Sequence, residues 1–124
     1  MDDQALADAV ATELMRIHEE SYGRAAEVAT CHLLQDTLIV IMDGLELLPN
    51  ERFLVESGYD EVVAHVRSQY QKAIEPTFRA AVERATGRRV RAFSSHVQLG
   101  DDPFIAEIFR LEPRDDGGLP EAPA

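Results

Sequence analysis

Residues 57–87 constrain this chain more than any other stretch, because they read as one long amphipathic helix. Tyr59, Val62, Val63, Val66, Tyr70, Ala73, Ile74, Phe78, Ala81, Val82 and Ala85 recur at spacings of three and four, which places them along one helical face. Ser57 or Gly58 is expected to cap the start, Asp60 and Glu61 suit the positive end of the helix dipole, and Arg84 and Gly87 supply the stop. At about 1.5 Å per residue such a helix spans about 42 Å. A domain of this size is roughly 35 Å across. The helix should therefore overhang its own domain and leave Tyr59, Val62 and Val66 in need of a cover, for which a homodimer is the simplest arrangement. Pro76 has no N–H for the Lys72 carbonyl, so a bend is expected over 72–75.

The rest of the chain supplies what this helix packs on. Residues 2–21 form a first helix with Leu6, Val10, Leu14 and Ile17 in a stripe, acidic at its start and ended by Tyr22-Gly23. Segments 28–34 and 37–42 read as strands joined tightly at Gln35-Asp36, hence an antiparallel hairpin. The second is apolar on both faces, as in a strand covered on both sides by helices or by a second subunit, and Asp43-Gly44 is expected to close it. Pro49 opens a short helix within 45–56, where Phe53, Leu54 and Val55 are available to pin it to the sheet. After the long helix, 88–99 and 104–112 make a second hairpin around Gly100-Asp101-Asp102-Pro103. In its last strand Ile105, Phe109 and Leu111 share a face with Glu107. The order α-β-β-(short α)-long α-β-β implies an α+β fold, a four-stranded antiparallel sheet with helices packed on it. Residues 1–112 read as one domain, and 113–124, with three prolines and two glycines, as a disordered tail.

Charge and composition narrow the function classes. Twelve basic residues against 23 acidic ones give a formal net charge of −11. That disfavours a nucleic-acid binder, which needs a basic footprint, and simple adhesion to anionic lipid. A single cysteine, Cys31, suits a reducing cytoplasm and reads as a small buried hydrophobe. No leader pattern and no membrane-spanning run is present, so a cytoplasmic protein without membrane insertion is expected.

Motifs for chemistry are thin. His18, His32, His65 and His96 lack metal-ligand spacing, and Cys31-His32 point to opposite sides of a strand. Ser94-Ser95-His96 has no glycine elbow around it. Arg79, Arg84, Arg88, Arg89 and Arg91 put five of the twelve basic residues within thirteen positions. Arg89 and Arg91 would share one strand face, where they could grip an anion, but ordinary pairing with surface carboxylates is the stronger reading. No catalytic residue, metal site or cofactor is nominated, and the reading leans away from an enzyme.

Three segments carry a family resemblance: Ser21-Tyr22-Gly23-Arg24, the run Leu45-Glu46-Leu47-Leu48-Pro49-Asn50-Glu51-Arg52-Phe53-Leu54, and the ending from Ala85-Thr86-Gly87-Arg88 through Val90, Ala92-Phe93 and Ser95 to Asp101-Asp102-Pro103 and Leu111. Together they resemble the MpsC-like family, small bacterial proteins long grouped as a domain of unknown function. The resemblance implies association with a sodium-translocating, membrane-potential-generating and bicarbonate-uptake system. It departs at Ala25-Ala26, where the family pattern has Gly-Pro, at Leu48, where it has Thr, and at His96, where it has Asp. Gly23, Glu51, Arg67 and Gly87 are matching positions. Gly23, Arg24, Glu51 and Arg67 are the candidate ligand-binding residues, with Glu51 expected to reach Arg67 across the sheet face. The functional expectation is a non-catalytic, dimeric accessory or regulatory protein of an ion or bicarbonate transport system at the cytoplasmic face. The alternative is a small-anion-binding protein or enzyme with a pocket between the sheet and the long helix.

Overall fold

A computed structural model describes residues 2–23 and 26–114. Its elements are α1 (Asp3–Ser21), β1 (Ala26–Leu34), β2 (Thr37–Leu45), α2 (Pro49–Glu56), α3 (Asp60–Thr86), β3 (Val90–Gln98) and β4 (Phe104–Leu111). The four strands form one antiparallel sheet in the order β1-β2-β4-β3, so the second hairpin docks its last strand against β2. The α+β expectation holds.

Local chemistry explains most of the boundaries. The Asp2 carboxylate caps α1 by accepting the Ala5 N–H at 2.7 Å. At its other end Tyr22 N–H bonds back to the His18 carbonyl at 2.9 Å. Gly87 ends α3 in the left-handed region, φ 69°, with its N–H on the Glu83 carbonyl. The start of α3 is a correction. Ser57 and Gly58 do not cap it, because the Ser57 N–H completes α2 by bonding the Phe53 and Leu54 carbonyls. Gly58, at φ 90°, then turns the chain, and α3 begins only at Asp60. Nor does Asp43-Gly44 close β2. The Gly44 and Leu45 amides find the Pro103 carbonyl, which carries the strand on to Leu45. α3 runs unbroken through the exposed Pro76.

The core lies on one side of the sheet. Ala7, Val10, Leu14 and Ile17 of α1, with Phe78, Ala81 and Val82 of α3, pack on Leu38, Val40, Met42, Ile105, Phe109 and Leu111. Strand alternation puts those six sheet residues on the same face. Ile39, Ile41 and Ile108 fall on the other, where no helix lies among the described residues. The two-sided cover expected for β2 is therefore met on one side within the chain.

α2 is a second correction. It packs on α3 rather than on the sheet, and Phe53 points outward, 69 % exposed.

A bulge in β3 sets which of its side chains face α3. The pairing with β4 slips between Val90 and Ala92, so Arg91 adds one residue to the strand. After it the inward positions are Phe93, Ser95 and Val97, and Ser95 comes to lie opposite Glu107. The slip also breaks the simple alternation expected to align Arg89 with Arg91. The arginines scatter: Arg79 bonds Glu75 at 2.7 Å, and Arg88 pairs with Asp36 and the Glu112 carbonyl. The expected tail lies outside the described residues from 115 onward.

Candidate functional site

The densest polar cluster sits where the end of α1, the start of α2 and the first half of α3 meet. Pro49 at the first helical position of α2 sets Glu51 one turn in, so that its carboxylate turns back to accept the Leu48 N–H at 2.8 Å. From the facing helix Arg67 donates Nε to Glu51 Oε2 at 2.9 Å and Nη2 to Oε1 at 2.8 Å, a bidentate pair. Nη2 also donates to the Glu46 carbonyl at 3.2 Å. The Tyr22 hydroxyl donates to Glu51 Oε2, and its ring lies 4.8 Å from the guanidinium carbon. Both charges are buried, Arg67 at 1 % and Glu51 at 4 % exposure.

His18 and Tyr70 complete the cluster. Their rings and that of Tyr22 stand tilted or edge to face at 4.7–5.5 Å. His18 Nδ1–H donates to the Gly23 carbonyl at 3.2 Å, and the Tyr70 and Ser21 hydroxyls bond one another. Two features favour glycine at position 23. Its φ is 139°, and a Cβ there would meet Leu48 Cδ2 at 3.0 Å. The turn after α1 is thus seated directly on the cap of α2.

Electrostatics follow from burial and partners. Burial works against the Glu51 charge, but hydrogen bonds from Arg67, Tyr22 and the Leu48 amide outweigh it and hold the carboxyl below its usual range. Burial and the adjoining Glu51 carboxylate push the Tyr22 phenol up to about 12. His18 is lowered, chiefly by burial, and the positive charge of Arg67 acts in the same direction. The cluster is therefore a fixed −/+ pair flanked by a neutral imidazole and neutral phenols at pH 7. Among the described residues Arg67 Nη1 and His18 Nε2 have no hydrogen-bond partner.

Of the residues nominated by sequence, the structure brings Gly23, Glu51 and Arg67 together, while Arg24 lies outside the described residues. Glu51 and Arg67 do pair, though between two helices rather than across the sheet. Cys31 is buried, and burial raises its thiol to about 12, which makes it a hydrophobe.

A second polar cluster is one that the residue pattern did not nominate. Between α3 and β3 lies a cleft of about 370 Å³ bounded by Ser68, Gln71, Lys72, Glu75, Phe93, Ser95 and Val97. Gln71 is 2 % exposed and Glu107, opposite Ser95, is fully buried. Among the described residues neither the Gln71 amide nor the Ser95 hydroxyl nor the Glu107 carboxyl has a hydrogen-bond partner of good geometry. Burial pushes the Glu107 carboxyl up to about 8, against the weaker opposing pull of the nearby Ser95 hydroxyl. The sequence held one signal for it, a glutamate on the apolar face of β4. On α3 the matching feature is Gln71, one turn beyond Arg67 in line with Val63, though its amide type gave no sign of burial. No group of three or more His, Cys, Asp or Glu is arranged to hold a metal among the described residues, and no described helix is long and apolar enough to cross a membrane.

A one-sided antiparallel sheet under two long helices, with a third short helix clamped by a buried carboxylate–guanidinium pair, defines a small α+β protein. The chain belongs to the MpsC family. The sequence profile described as "Na+-translocating membrane potential-generating system (MpsC)" matches residues 2–112, nearly its whole length. No curated protein and no solved structure matches it.

Proposed function

We propose that this protein is a non-catalytic accessory or regulatory component of a Na+-linked transport system, acting as a homodimer on the cytoplasmic side. The observation that carries the reading is the way α2 and α3 are held. The Glu51–Arg67 pair is used internally, each charge facing the other, and so works as a clamp rather than as an open reactive site. Among the charged residues of its outer side the clamp also carries large apolar ones: Phe53 on α2, with Tyr59, Val62 and Val66 on and just before α3, are each about half exposed or more. A helical pair that commits its buried charges to each other and carries exposed apolar side chains suits docking better than turnover.

The family description supports a transport partner. A tagged full-length chain is expected to co-purify a membrane transport component from detergent-solubilised native membranes, and a strain lacking the gene to grow poorly when bicarbonate is limiting. Normal growth of that strain, together with no co-purifying transport component, overturns the reading.

A second reading rests on one atom. Arg67 Nη1 is buried and has no partner among the described residues, and a small anion there would complete the guanidinium that Glu51 holds on its other side. Bicarbonate or phosphate should then raise the melting temperature in proportion to the logarithm of its concentration. A melting temperature that stays unchanged up to high millimolar anion removes this reading and leaves the first intact.

A further inference from the structure

The cleft between α3 and β3 is independent of the docking surface, and its chemistry is of another kind. The buried Gln71 and Ser95 on its wall, with Glu107 on the neighbouring strand directly opposite Ser95, become an unbalanced set once Glu107 ionises. With Glu107 ionised, both its oxygens, the Gln71 carbonyl oxygen and the Ser95 oxygen can accept, whereas only the Gln71 amide nitrogen and the Ser95 hydroxyl can donate; the neutral acid adds a single O–H donor of its own. Among the described residues none has a hydrogen bond of good geometry, the Ser95 hydroxyl only approaching Glu107, although buried polar groups in folded proteins normally are paired. An occupant that restores the balance must bring several N–H donors. Phe93 and Val97 offer its other end an apolar wall. The volume is that of a small-molecule site, and too large for a bare metal ion, which would also need about six oxygen ligands where three side chains are present.

We propose that the α3–β3 cleft binds a small organic cation, its amidinium, guanidinium or ammonium head on Glu107, Gln71 and Ser95 and its apolar body against Phe93 and Val97.

Burial keeps the Glu107 carboxyl neutral up to about pH 8, so an arriving cation draws its proton off, and binding releases one proton. The groups that face it are few. From α3 come Tyr70, whose phenol is raised by burial and by Glu107, and Gln71. From β3 comes Ser95, and on β2 the ladder neighbour is Val40. Glu75, at the mouth, is occupied by Arg79 Nε at 2.7 Å. Lys72, also at the mouth, is exposed, where water and salt screen it.

Benzamidinium chloride is the probe, with benzamide as its neutral counterpart and sodium chloride as the ionic control, titrated into isotopically labelled full-length chain by NMR. Benzamidinium is expected to saturate shifts of the Gln71 side-chain amide and the Val97 methyls, with benzamide at least ten-fold weaker. Affinity should fall several-fold from pH 8 to pH 7, because the proton must leave. Glu107→Gln should weaken binding ten-fold or more and abolish that pH dependence. Ser95→Ala, on the cleft wall, should weaken it less. The proposal is overturned by the absence of saturable shifts, by equal binding of benzamide, by unchanged binding in both variants, or by sodium alone producing the same shifts.

Discussion

Removing the Arg67 guanidinium would leave the Glu51 carboxylate buried with only the Tyr22 hydroxyl and the Leu48 amide to hold it. Breaking a buried ion pair from one side costs about 3–5 kcal/mol, most of it the desolvated charge left behind. Arg67→Ala is thus expected to lose that much stability in urea denaturation. The double variant Glu51→Leu with Arg67→Met removes both charges and should recover most of it, falling short by about 1 kcal/mol for the lost bond to Leu48 N–H. A double variant no more stable than Arg67→Ala would show that the pair's surroundings, not the stranded charge, set the cost. Glu107 makes a prediction of opposite character. Its folded-state carboxyl titrates at about 8 against an ordinary 4.5. Between those values the folded chain holds a proton that the unfolded chain has lost, so stability declines as pH rises through the window and levels off above it. His18, lowered by burial, has the reverse slope, with stability lost as pH falls below its ordinary 6.5. From pH 7 to pH 8 the His18 contribution is nearly level and the Glu107 decline should be visible alone. Urea denaturation at half-unit steps should show that decline in the native chain and a nearly flat line in Glu107→Gln.

At the scale of elements, the glycines at two helix ends do different work. Gly87 has φ 69° with open space around it, so Gly87→Ala meets only the left-handed backbone penalty, about 1–2 kcal/mol. Gly23, at φ 139°, adds a collision with Leu48. Gly23→Ala should therefore melt at a lower temperature than Gly87→Ala, and the reverse order would mean that Leu48 yields freely. The same two positions show what was legible in the sequence. Gly87 was readable as a helix stop because a C-terminal glycine is a local signal, as was Asp2 as a helix start. The entry to α3 was not, since the Ser57-Gly58 pattern that resembles a cap is consumed by the end of α2, a matter of which carbonyl the Ser57 amide finds first. In the candidate site, the pairing of Glu51 with Arg67 could be expected from matching positions, but not its burial, which depends on α2 folding onto α3. The Ser95–Glu107 juxtaposition was hidden for a different reason. A period-two reading of β3 carries no trace of the extra residue at Arg91, and that residue decides which side Ser95 faces.

For the molecule as a whole, α3 is the element that both anchors the fold and carries exposed apolar side chains. Its 27 residues span about 40 Å, and its buried positions, Val63, Arg67, Gln71, Phe78, Ala81 and Val82, hold it to the rest of the fold. Its first turns meanwhile carry Val62 and Val66 outward, 47 % and 49 % exposed, and Tyr59 and Phe53 are more exposed still. Four large exposed apolar side chains on α2, on α3 and at the turn between them are what a second copy could cover by two-fold symmetry. The formal charge of −11 opposes that contact and is screened by salt. Light scattering at micromolar concentration and moderate salt should therefore give twice the 13.8 kDa chain mass, with the dimer fraction rising as salt is added. Val62→Glu combined with Val66→Glu should give the single-chain mass without lowering the melting temperature of the fold by more than the dimer contact contributes, since neither side chain is part of the core. A native chain that scatters as a monomer sinks the dimer. A double variant that stays dimeric moves the seam off these side chains, and the sheet face of Ile39, Ile41 and Ile108, which no described helix covers, becomes the surface that must account for it.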